Sequence, residues 1–95
     1  MTYKLKLVRK EEILKDTYAL YFDKGDSGIN FLAGQFATVT IPDLNAIDGR
    51  GNERHFSIAN SPDEKNIEII IRKSCSDFSN TILNLPAGAQ LLFDE

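Results

Sequence analysis

The 95 residues, 42% hydrophobic and 26% charged, have the composition of one soluble globular domain with a modest core. A net charge of −3 is the opposite of the basic footprint expected for nucleic-acid binding, and no apolar run nears the roughly 20 residues that span a bilayer. One cysteine, Cys75, and one histidine, His55, exclude an internal disulfide and a cysteine-built metal cage, and the N-terminus "MTYKLKLVRK" lacks the apolar stretch of a signal peptide, so a cytoplasmic location is expected.

Period-two alternation opens the chain: in "YKLKLVRK", Tyr3, Leu5 and Leu7 share a face and Lys4 and Lys6 take the other. "TYALYF" repeats the pattern, with Tyr18, Leu20 and Phe22 opposite Thr17, Ala19 and Tyr21. The cluster "DKGDSG", residues 23–28, predicts a turn. "GQFATVTIP" predicts a third strand, with Ala37, Val39 and Ile41 on one side and Phe36, Thr38 and Thr40 on the other; Pro42 ends it because proline cannot donate to a ladder. Residues 43–53 form a polar loop before a short fourth strand. After the turn "SPDEKN", "NIEIIIRK" predicts a fifth strand with Ile67, Ile69 and Ile71 on one face. In "SDFSNTILNLPAG" the spacing changes: Phe78, Ile82 and Leu85 recur at helical intervals, Ser76 or Asp77 can cap the start, and Pro86 and Gly88 stop the helix. "AQLLFDE" returns to strand character. The expected fold is all-β: a six-stranded antiparallel Greek-key barrel with one short helix before the last strand.

The chemistry-bearing stretch is Arg54-His55-Phe56-Ser57, at the start of the fourth strand. Taken alone, it admits a plain structural reading: a solvated arginine, a core ring and an ordinary strand serine. It also admits a binding strip. Arg54 and Phe56 are two apart, so an extended backbone turns both to one face. A guanidinium suits a phosphate bidentately, and a ring beside it suits a flat heterocycle. The helix start at Ser76-Asp77-Phe78-Ser79 adds backbone N–H groups and hydroxyls that suit an anion.

The motif Arg54-His55-Phe56-Ser57 resembles the Arg-x-Tyr/Phe-Ser fingerprint of the flavin domain of the ferredoxin–NADP reductase superfamily. "FLAGQFATVTIP" resembles the strand upstream of that fingerprint, "SIANSP" the residues after it, and "IEIIIRK" and "SDFSNTILNLPAGAQLLF" the fifth strand, phosphate-side helix and last strand, in the same order. The resemblance runs from Tyr3 to Phe93. It departs from the family at Phe56, where tyrosine is commoner, and at Ser76, where glycine is frequent.

The resemblance implies that residues 1–95 are an FAD-binding β-barrel domain of an NAD(P)H-dependent oxidoreductase that passes electrons to an acceptor protein or small molecule. It implies Arg54 on the FAD pyrophosphate, with His55 beside it, Phe56 against the flavin ring, and Ser57 near the flavin N5 atom as the catalytic residue. It places Ile71, Arg72 and Lys73 along the cofactor, mainly through backbone, and Asp77, Phe78 and Ser79 on the second side of the pyrophosphate. No glycine-rich α/β unit for a nicotinamide nucleotide follows, so a nicotinamide-binding domain or subunit is the expected partner, and the chain is not expected to turn over alone. No metal, nucleic-acid or membrane site is expected. The competing expectation is a β-barrel interaction module without flavin.

Overall fold

The computed structural model describes residues 2–25, 31, 34–45, 48–60 and 65–94. They form β1 (Thr2–Leu14), β2 (Thr17–Asp23), β3 (Phe36–Thr40), β4 (Glu53–Asn60), β5 (Asn66–Arg72), α1 (Asp77–Leu83) and β6 (Gln90–Asp94). The strands close into an antiparallel barrel in the order β1-β2-β5-β4-β3-β6. The consecutive run β3-β4-β5 with β2 beside β5 is a Greek key. The expected turns at 23–28 and 61–66 lie largely outside the described residues, although Gly25 donates its N–H to the Asp23 carboxylate at 2.8 Å, as a turn of that composition should.

The inward faces are those that the alternation predicts. Leu5 and Leu7 of β1, Leu20 and Phe22 of β2, Ala37 and Val39 of β3, and Ile67, Ile69 and Ile71 of β5 are all buried, with Leu91 and Phe93 of β6. Each fully buried aliphatic or aromatic side chain contributes about 1.5–3 kcal/mol of transfer free energy. At the centre the rings of Phe22 and Phe93 meet edge to face, 4.9 Å between centroids. Pro42 lies just past β3, outside the ladder.

Two elements differ from the sequence expectation. β1 runs on to Leu14 instead of stopping near Lys10. Residues 9–14 are all exposed, so no alternation marks them as strand; pairing with β2 holds them there, across register shifts between Leu7 and Arg9 and between Glu12 and Leu14. The same arm explains why both faces of β2 are covered: the Arg9 guanidinium lies 4.0 Å over the Tyr21 ring, which is buried on the outer side. The tight connection to β2 puts Asp16 at φ 60°, a left-handed position that aspartate tolerates.

The helix is also shorter than the apolar spacing suggests. Phe78 and Ile82, four apart, are buried on its inner face, but Leu85 lies beyond its end. Leu85 precedes Pro86, which disfavours helical geometry at that position. Asn84 is the C-cap, and its side-chain amide donates to the Asn80 carbonyl at 2.6 Å. The chain then docks on β1, with Gly88 N–H donating to Leu7 C=O at 2.7 Å and Leu7 N–H to Ala89 C=O at 2.8 Å.

Candidate functional site

Among the described residues, β4 and β5 part before their ends. β4 and β5 pair only from Asn60↔Ile67 to Ile58↔Ile69. Beyond that point β4 stays paired with β3 as far as Glu53, and β5 stays paired with β2 as far as Arg72. The two strands therefore diverge over residues 53–57 and 70–72, and α1 sits against the opening. Ile58 bonds to the β3 side through both its groups, donating to Gln35 C=O at 2.8 Å and accepting from Gly34 N–H at 2.9 Å. Antiparallel alternation then turns the N–H and C=O groups of His55 and Ser57 toward β5, and those of Ile70 and Arg72 toward β4, across a gap the ladder does not bridge.

A cleft of about 240 Å³ fills this gap, between β4, β5, the 48–51 loop and the start of α1. Phe78, 1% exposed, is its aromatic floor. The Phe56 ring lies 5.9 Å from it at a tilt of 31°, and the Arg54 guanidinium lies 5.2 Å from its centre. The strand alternation that buries Ile58 brings Arg54 and Phe56 to this same side. The chain has four arginines, and three of them, Arg50, Arg54 and Arg72, line the cleft; the fourth, Arg9, packs on Tyr21. An acidic protein thus concentrates its strongest bidentate donors in one place.

Arg54 is half engaged. Its Nη1 donates to the carbonyls of Arg50 and Glu53, both at 2.7 Å, which folds the 50–53 loop around the guanidinium. Its Nη2 is buried and has no hydrogen-bond partner among the described residues. A buried charged donor without an acceptor is costly, so this nitrogen fits an anionic ligand oxygen in the cleft.

The start of α1 is already engaged. Ser76 is its N-cap, at φ −73° and ψ 153°, so the position needs no glycine. Its hydroxyl accepts from Ser79 N–H at 3.1 Å, and the Ser79 hydroxyl accepts from Ser74 N–H at 2.9 Å. Ser76→Ala is expected to lower stability by about 1 kcal/mol, read by thermal denaturation, because it strands the Ser79 amide in a buried setting. An unchanged midpoint would show that the cap contributes nothing. Asp77 N–H donates to the Asp48 carboxylate at 2.9 Å. That contact and then Arg50 N–H hold the Asp48 carboxyl below its ordinary range, against an opposing effect of burial that outweighs either of the lesser contributions from the Arg54 and Arg50 charges.

Of the residues singled out from sequence, Arg54, His55, Phe56, Ile71, Arg72, Phe78 and Ser79 meet at this cleft. The His55 ring itself turns to the outer face, 3.0 Å from the Thr38 hydroxyl, so His55 meets the cleft with its backbone. Ser57, Lys73 and Asp77 do not line it. Ser57 is exposed on the outer face, paired across the ladder with Phe36, which is 65% exposed. Lys73 lines a separate groove with Lys10 and Asn80, and its N–H donates to Asp16 C=O at 2.7 Å. Sequence reasoning missed Arg50 and Asp48. Their signal was the run "DGRG": an Asx turn, with Asp48 accepting from Arg50 N–H at 2.9 Å, and an arginine between two glycines at φ 78° and 79°.

Among the described residues no group of His, Cys, Asp or Glu is placed to hold a metal, and no helix is long and apolar enough to cross a membrane.

The ring order and the helix before the last strand are shared, as a fold, with the barrel region of ferredoxin–NADP reductase-type structures. No protein-family model and no curated protein matches the chain; solved structures do. The CS-b5R domains of human Ncb5or, solved in the NAD+ form, superpose with a TM-score of 0.79 at 18% identity, over 100% of this chain and 29% of that one. A ferredoxin NADP+ reductase from Neisseria gonorrhoeae with bound FAD and NADP gives 0.74 at 17% identity, over 98% of this chain and 36% of that one. The siderophore-interacting protein SipS from Aeromonas hydrophila gives 0.73 at 12%, over 98% and 44%. At these identities the likeness is one of fold, and the chain spans about a third of the two reductases.

Proposed function

We propose that this chain is the FAD-binding module of an NAD(P)H-dependent oxidoreductase that moves electrons between a nicotinamide nucleotide and an acceptor protein or small molecule. The observation that carries the reading is the buried, unpartnered Nη2 of Arg54 in a cleft lined by three arginines and two aromatic rings. The fold shared with FAD-containing reductases supports it.

In this reading Arg54, with Arg50 and Arg72, neutralises and orients the cofactor's pyrophosphate, and Ser79 is close enough to add its hydroxyl. Phe56 supplies an apolar face for the flavin system and Phe78 fixes the angle of that face from behind. The backbone groups of His55, Ser57, Ile70 and Arg72 are available as donors and acceptors for the edge of a flat heterocycle. Ser57 is assigned the hydroxyl that meets the flavin N5, from the outer side of β4. Phe56 lacks a phenol oxygen, which removes one hydrogen bond worth about 0.5–1.5 kcal/mol relative to tyrosine. Bound FAD supplies the redox chemistry, and the protein supplies binding, orientation and electrostatics. Residues 1–95 are proposed as the barrel domain, and a nicotinamide-nucleotide domain or subunit as its partner.

The test is direct. Purified protein mixed with FAD and passed through gel filtration is expected to elute yellow, with flavin absorbance in the protein peak. A colourless peak from protein with a β-rich circular dichroism spectrum would overturn the proposal.

A further inference from the structure

The 48–51 loop carries a carboxylate beside the cleft in which the cofactor reading seats an anion. Asp48 is exposed and lies far along the chain from α1, yet its Oδ2 accepts from Asp77 N–H and its Oδ1 from Arg50 N–H, each at 2.9 Å. Arg50 and Arg54, both lining the cleft, are within Coulombic reach of it. The carboxylate offsets their charge but gives no hydrogen bond to Arg54 Nη2, which stays buried without a partner. A carboxylate beside the cleft, outside its lining, therefore opposes an anion bound there, while the Arg54 donor remains open.

We propose that Asp48 is an internal competitor for the cofactor's pyrophosphate, and that it sets the affinity of the cleft for it. The proposal rests on the FAD reading above. A pyrophosphate reaching Arg54 Nη2 gives that donor the acceptor it lacks and meets the Arg50 and Arg54 charge, which Asp48 offsets only in part. Displacement of Asp48 also releases the tie between the loop and α1, which couples ligand entry to movement of residues 48–51.

The experiment is a pair of titrations, followed by flavin fluorescence at 0.15 M salt, of wild type and Asp48→Asn with FAD and with riboflavin, which has no phosphate. Asp48→Asn is expected to bind FAD about tenfold more tightly, because a repelling unit charge beside a pyrophosphate is removed, and riboflavin within about twofold of wild type. The gain is expected to shrink as salt is raised. Asp48→Ser makes the same comparison if the asparagine protein folds poorly. A wild type that binds FAD, with variants that bind it no better, makes Asp48 a strut and overturns this proposal alone. A gain equal for FAD and riboflavin also overturns it, since the effect would not act on phosphate. Absence of FAD binding by every protein sinks the cofactor reading and this proposal together.

Discussion

Arg54→Ala is expected to weaken FAD by about 10- to 150-fold while changing riboflavin by no more than about threefold. A hydrogen bond to a charged group contributes about 1.5–3 kcal/mol, and every 1.4 kcal/mol is tenfold in affinity. The contrast between ligands is the informative part, because riboflavin shares the ring system and lacks the pyrophosphate. Arg54 also holds the carbonyls of Arg50 and Glu53, so its loss loosens the loop as well as the anion contact. Arg54→Lys separates the two effects. It keeps the charge but replaces the planar fork, in which one nitrogen holds the loop carbonyls and the other faces the cleft, with a single ammonium. FAD binding to the lysine protein should fall between wild type and alanine. Equal weakening of FAD and riboflavin by Arg54→Ala would refute the phosphate role.

Phe93→Ala carries the largest expected cost to the fold. Phe93 and Phe22 are both fully buried and touch edge to face at 4.9 Å, joining β6 to β2 across the barrel. Truncating a core phenylalanine costs about 3–5 kcal/mol. Small domains have about 5–15 kcal/mol in all, so the variant should lose a large share of its stability. Near 4–8 °C per kcal/mol for a domain of this size, the thermal midpoint should fall by at least about 12 °C. Leu14→Ala is the control: Leu14 is 71% exposed at the tip of the β1–β2 arm, and its loss should stay within about 0.5 kcal/mol. A Phe93→Ala midpoint as close to wild type as the Leu14→Ala midpoint would show that the barrel centre is not where the fold is held.

Most of the barrel was legible in the sequence because its core residues alternate. Ile67, Ile69 and Ile71 announce an inward face, and the same parity in Ala37 and Val39 sets β3. The β1 arm was not legible, since nothing in residues 9–14 is buried and only inter-strand bonds define it. The helix end was misjudged by Leu85 because an apolar residue at helical spacing can also pack from a turn, and the proline rule decides between the two.

The cleft was legible in part for the same reason. Parity brought Arg54 and Phe56 together, and the change to helical spacing delivered Phe78. The same parity sends the Ser57 side chain to the opposite face, beside exposed Phe36. Arg50 and Asp48 stayed hidden because loops have no periodicity. The Asp48–Asp77 contact spans 29 residues and exists only once the barrel has closed.

The short β4–β5 pairing has a further consequence, for rigidity. A closed ring has no free edge, so any place where two neighbours stop bonding concentrates its compliance. Here β4 and β5 are joined through three residue pairs, as are β3 and β6, and the loose stretch of the first seam borders Arg54 and Phe78. A molecule seated in that stretch would act as missing mortar, joining strands that the polypeptide leaves apart. Its binding would then stabilise the whole ring, by an amount that keeps growing with the logarithm of ligand concentration after the site is full.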